Sequence, residues 1–130
     1  MKKFLLILFF SIATFQFNFA NNNDPLLIKA KELSLNKNYT EAIAIYNQYL
    51  SKTDSKNLKN VYVEIANCYF KLNNKTVAVD NIKKAITNYG FSEEDFIYNE
   101  NLDSELSKYA LAVVYEDLDS LQKKYIASLN

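Results

Sequence analysis

The stretch Asn38-Tyr39-Thr40-Glu41-Ala42-Ile43-Ala44-Ile45-Tyr46 returns in altered form as Asn74-Lys75-Thr76-Val77-Ala78-Val79-Asp80-Asn81-Ile82. The offset from Ala42 to Ala78 is 36 residues, and the upstream pairs Ala30/Ala66 and Leu33/Tyr69 keep it. Self-similarity at such a period is the mark of a helical-hairpin repeat, in which each unit buries its apolar face only by stacking on the next.

Working outward, the apolar residues fall at helical spacing. Asp24-Pro25 opens a first helix, with Asp as cap and Pro tolerated in the first turn. Leu26, Leu27, Ala30, Leu33 and Leu35 form its stripe, and Asn36-Lys37-Asn38 is the turn. A second helix over about 39–51 buries Ala42, Ile43, Tyr46, Tyr49 and Leu50. Thr53 to Asn57 is a polar loop. The third helix, about 58–72, carries Tyr62, Ile65, Ala66, Tyr69 and Phe70, with a turn at Asn73-Asn74. The fourth, about 75–89, buries Ala78, Val79, Ile82, Ala85 and Ile86, and Gly90 ends it by taking the left-handed conformation cheaply.

Beyond Gly90 the repeat fades. Ser92 followed by Glu93-Glu94-Asp95 suits a helix N-terminus, where negative charge meets the positive end of the dipole. Phe91, Phe96 and Ile97 give that short helix an apolar side. Leu102, Leu106, Tyr109, Ala110, Val113 and Val114 mark a longer helix, continued at the same period by Leu118, Leu121, Tyr125, Ile126 and Leu129, with a break at Asp117 or Asp119. Residues 91–130 are expected to supply a third layer, as a divergent repeat or a helical cap, because two hairpins are marginal alone.

Composition narrows the chemistry. The chain of 130 residues is 49% hydrophobic and 23% charged, which fits one folded domain. Its fifteen cations are all Lys, balanced by fifteen acids. The absence of Arg and of net positive charge argues against nucleic acid as a partner. With no His, one Cys and one Gly, His-based nucleophilic triads, ordinary zinc sites and glycine-rich phosphate loops are closed. No cofactor, metal or catalytic residue is expected. Cys68 is read as a small half-buried hydrophobe. Charge is uneven along the chain: residues 24–90 hold ten Lys against six acids (+4), and residues 91–130 hold three Lys against nine acids (−6). Three readings stand: independent solvated faces, an acidic end that leans on the basic repeats, or two regions that each attract a different partner.

Residues 1–20 begin Met-Lys-Lys, run apolar from Phe4 to Phe10 and end at Ala20. This is the layout of a secretory signal peptide, shorter than the roughly 20 apolar residues that span a bilayer. The expectation is export to the bacterial periplasm or exterior, with a mature chain from Asn21 and no stable membrane span after cleavage; the alternative is a segment kept as an uncleaved anchor. The fold is taken over residues 21–130.

Residues 24–90 resemble the tetratricopeptide repeat family. The second copy (about 60–90) reads Tyr62-x2-Ile65-Ala66-x2-Tyr69, then Ala78-x3-Ile82; the first (about 24–54) reads Leu26-x2-Lys29-Ala30-x2-Leu33, then Ala42-x3-Tyr46. The copies depart from the family pattern at Lys29, at Tyr49 and in lacking the terminal Pro, and their offset exceeds the family's roughly 34 residues. The resemblance implies an all-α, right-handed solenoid of antiparallel helix pairs, with Ala30 against Ala42 and Ala66 against Ala78 where paired helices cross closely. It further implies a groove lined by the first helix of each hairpin, hence by Lys31, Asn67, Phe70 and Lys71, suited to a peptide with an acidic group and an apolar side chain. A clamp for chaperone tails is not expected, because Glu64 and Leu27 stand where such a clamp needs other residues. The function so implied is non-catalytic protein or peptide binding; the alternative is a structural subunit packed permanently in an envelope complex.

Overall fold

The computed structural model describes residues 24–130, so the signal-like segment lies outside the described residues. The described chain is all-helical: α1 (Pro25–Leu35), α2 (Tyr39–Lys52), α3 (Lys59–Lys71), α4 (Lys75–Tyr89), α5 (Glu93–Tyr98), α6 (Ser104–Val114) and α7 (Leu118–Ser128). α1 packs on α2 and α3 on α4, α2 meets α3, and α4 also receives α7 and, less extensively, α6. No described helix is long and apolar enough to cross a membrane.

The 36-residue offset is written into the backbone as well as the sequence. After α1, the Lys37 N–H donates to the Ser34 carbonyl and the Asn38 N–H to that of Leu33. After α3, Asn73 donates to Phe70 and Asn74 to Tyr69, the same two bonds displaced by the same offset. Lys37 (φ 64°) and Asn73 (φ 62°) both sit in the left-handed region, which lets the last turn of each helix satisfy its free carbonyls before the chain reverses. Between the arms of each hairpin, Ala30, Ala42, Ala66 and Ala78 are all completely buried. A side chain larger than methyl at any of these positions would push the paired helices apart.

Two apolar clusters fill the interior. The first hairpin and α3 share one, built on Ala30, Ala42, Ile43, Tyr46, Val61, Ile65 and Cys68. The larger one joins α3 and α4 to α5–α7 through Val63, Ala66, Val79, Ile82, Ile86, Phe91, Leu106, Ala110 and Val114. α3 therefore lies between both cores, and Val61, Val63 and Cys68 are buried where a single helical stripe leaves them outside. Cys68, expected half-buried, is fully enclosed, its Sγ 3.7 Å from the Ser34 hydroxyl.

Residues 91–130 close over α4 without repeating the hairpin geometry. Gly90 (φ 73°) turns the chain, and a Cβ there would lie 2.8 Å from the Tyr125 ring of α7, so glycine serves both the turn and the docking of the last helix. Phe91 and Phe96 pack edge to face at 4.8 Å beneath it, and the Asp95 carboxylate caps α5 by accepting from the Ser92 N–H at 2.8 Å. The helical run breaks after Val114 and resumes at Leu118, with Asp117 at the N-cap position. Only part of the apolar stripe expected here turns inward. Leu106, Ala110, Val114 and Leu118 are buried, whereas Ile97, Val113, Ile126 and Leu129 face solvent, because α5–α7 rest one side each on the hairpins and no described residue packs outside them.

Candidate functional site

The four groove residues expected from the sequence lie along the first helices of the two hairpins, Lys31 on α1 and Asn67, Phe70 and Lys71 on α3. The structure does not leave them as one open set. Three are engaged by the chain itself, Asn67 and Lys71 by the segment that joins α5 to α6 and Phe70 by Tyr109 of α6.

That segment, Asn99 to Asp103, crosses the outward face of α3. The Asn67 amide grips it at two points: its Nδ2 donates to the Asn101 carbonyl at 2.6 Å, and its Oδ1 accepts from the Asp103 N–H at 2.9 Å. One side chain thus satisfies both the acceptor and the donor of a passing backbone. Leu102, between the two points, is buried in the larger core. Lys71 Nζ stands 3.1 Å from the Asp103 carboxylate. Its pKa is raised, first by the hydrogen bond to Asp103 and then by the carboxylate charge. Burial pushes the Asp103 carboxyl up, but the Leu106 N–H, the Lys71 hydrogen bond and the Lys71 charge outweigh it and hold the acid below its ordinary value. Nearer the start of α3, Lys59 pairs with Asp95 at 3.3 Å, and Asn99 Nδ2 reaches the Asn60 amide oxygen at 3.3 Å. The acidic end of the chain therefore leans on the basic hairpins through two ion pairs. The Lys59–Asp95 and Asn67–Asp103 contacts both span 36 residues, the same offset that relates the two hairpins.

Phe70 is partly covered rather than free. It packs against the larger core, with the Tyr109 ring of α6 at 6.2 Å, and Lys75 places its ammonium 5.1 Å over that same ring. Lys31 is the one member that faces open space. It stands at the rim of a cleft of about 440 Å³ between α1 and α3. Leu27, Ile28 and Leu35 of α1 form one wall, Val61 and Glu64 of α3 the other, and Asn101 borders it. Ile28 and Leu35 are 48% and 76% exposed, so this apolar wall meets solvent. Glu64 is the residue that the sequence reading passed over as a binding group. Burial raises its pKa, and the Lys31 charge and a hydrogen bond to Asn67 draw it partly back. The available signal was a single acid, Glu64, between the apolar residues Val63 and Ile65.

Cys68 is buried, and burial foremost raises its pKa, which suppresses the thiolate a reactive cysteine needs. Burial likewise raises the Tyr46 phenol at the base of the cleft. Among the described residues no group of acids with Cys68 is placed to hold a metal ion. Compared with known proteins, the chain matches no family model, no curated protein and no solved structure.

Proposed function

We propose that the chain is a tetratricopeptide-like module that binds another protein or peptide in the cleft between α1 and α3 and performs no chemistry. The observation that carries this reading is the open apolar wall of Ile28 and Leu35 facing Val61 and Glu64 across a space large enough for several side chains. The repeated turn hydrogen bonds and the four buried alanines, each recurring at 36 residues, support the family reading of the two hairpins. The signal-like residues 1–20 support export, which places the partner in the periplasm or outside a bacterial cell.

The test begins with capture of partners from envelope extract on the tagged chain, followed by titration of a captured partner against folded variants. Ile28→Asp puts a charge on the cleft wall and should cost more than about 1 kcal/mol of binding, the level that marks an important interface residue. Ala44→Asp, on the exposed side of α2, should leave affinity unchanged. A partner held equally by both variants would place its binding surface away from the cleft.

A further inference from the structure

The two ends of the α3 outward face differ in what they still offer a ligand. At the Lys71 end, the basic group, the backbone-gripping amide and the aromatic are already taken by Asp103, by the Asn101–Asp103 backbone and by Tyr109. The chain's own acidic segment occupies the place expected for an acidic peptide. At the cleft end, the charged group set back from the rim is the Glu64 carboxylate, with the neutral Tyr46, Asn60 and Asn101 beside it in the lining. Four ion pairs form among the described residues, and none includes Glu64. Lys31 sits at the exposed rim, near enough to be felt by Glu64 but not in contact with it. Glu32 is a second acid at the rim, so the cleft carries two acids against one lysine.

We infer that the cleft takes an extended peptide segment that carries an aliphatic side chain next to a basic one, with the basic group paired to Glu64. This rests on the cleft being a peptide site and reverses the ligand charge expected from Lys31 and Lys71. An aliphatic side chain placed on Ile28, Leu35 and Val61 removes apolar surface from water. The same approach strips water from Glu64. That loss is unfavourable unless a cation arrives with the ligand. An acidic ligand would instead bring a like charge into a partly desolvated space. Because extended chains present alternate side chains to opposite faces, a peptide of alternating Leu and Lys can set one type on the wall and aim the other at the carboxylate. Burial already disfavours the ionised form of Glu64, so a paired cation gains by restoring it.

Two capped synthetic peptides test this on the full chain at low ionic strength, Gly-Leu-Lys-Leu-Lys-Gly and its twin with Glu in place of Lys, followed by chemical-shift changes of the protein amides. The Lys peptide should bind about tenfold more tightly than the Glu peptide. Glu64→Gln should abolish that preference while leaving residual binding through the apolar wall, and Ile28→Ser, which removes apolar surface without adding a charge, should remove the residual binding. Equal affinity for both peptides, or a preference that survives in Glu64→Gln, overturns the charge inference and leaves the cleft as a peptide site. If neither peptide shifts the amides of α1 and α3, the cleft reading itself fails. Circular dichroism on each variant confirms that a lost signal is not lost fold.

Discussion

α3 has two flanks, and they are finished differently. Toward the first hairpin its contact with α1 stays open as an apolar cleft, with Ile28 and Leu35 exposed across from Glu64. Toward the C-terminal helices the flank is largely closed, with a smaller space of about 260 Å³ left beside Asn67 and Lys71. Lys59, Asn60, Asn67 and Lys71 are each matched by a polar group of residues 95–103, and Leu102 is buried between them. The same helix thus shows what a satisfied groove looks like beside one that is not. The contrast follows from what covers each flank: residues 91–130 pack over one side of α3, while the other meets α1 across a space open to solvent.

The largest expected effect comes from removing the closed flank altogether. A chain ending at Gly90 uncovers Val63, Val79, Ile82 and Ile86, which share a core with Phe91, Leu106, Ala110 and Val114. Two hairpins without that layer expose most of the apolar face of α4 and should lose cooperative thermal unfolding. A truncated protein that melts as sharply as the full chain would show that residues 91–130 are an appendage and that the two flanks of α3 do not differ in the way described.

A smaller effect should follow from opening the closed flank at one point. Asn67→Ala removes both grips on the crossing segment and leaves the Asn101 carbonyl and the Asp103 N–H without that partner in a part-buried setting. A loss of about 1–3 kcal/mol is expected, the usual cost of leaving such groups unmet. Asn47→Ala, an exposed position on α2, should stay within about 0.5 kcal/mol of wild type. Equal midpoints for the two variants in urea would mean that the Asn67 bonds do not hold the crossing segment in place.

The hairpins were legible because period, turn and small residues agree at every level from sequence to packing. Ala42 and Ala78 announced the helix crossings, and Gly90 announced its own turn. The left-handed turns at Lys37 and Asn73 were less so, since a Lys and an Asn at equivalent positions hide one backbone conformation behind two side chains. Val61 and Val63 were missed because a stripe argument gives a helix a single buried side, and α3 has two. Asn67 was legible as a group able to bind a peptide backbone. Which backbone it holds was not, because Asn99 to Asp103 arrives from more than thirty residues away in a polar, aperiodic stretch. The charge asymmetry was the one clue to that arrival, and Lys59–Asp95 and Lys71–Asp103 are how it is spent.

The smallest expected effect separates the two flanks by the sign of their response to acid. Asp103 is held below its ordinary carboxylate value in the folded chain. The stability it contributes is fully present above that ordinary value, about 4, and is lost as pH falls through the lower folded value. Glu64 is raised instead. The folded chain binds its proton more readily than the unfolded chain does, so its contribution is fully present below the ordinary value and disappears as pH climbs through the raised one. Asp103→Asn should therefore flatten part of the acid-side loss, with Asp95, also held low, keeping the remainder. Glu64→Gln should do the reverse, adding a little stability near neutrality and removing the gain on mild acidification. Lys71 is about half exposed, so solvent screens its pair with Asp103 and limits the first effect to at most about 1 kcal/mol. Urea midpoints for the two variants and wild type, measured from pH 7 down to the onset of acid unfolding, should give difference curves of opposite slope. Curves of the same slope would mean that the Glu64 carboxylate is as well satisfied as that of Asp103. The cleft would then have no unmet charge to offer a ligand.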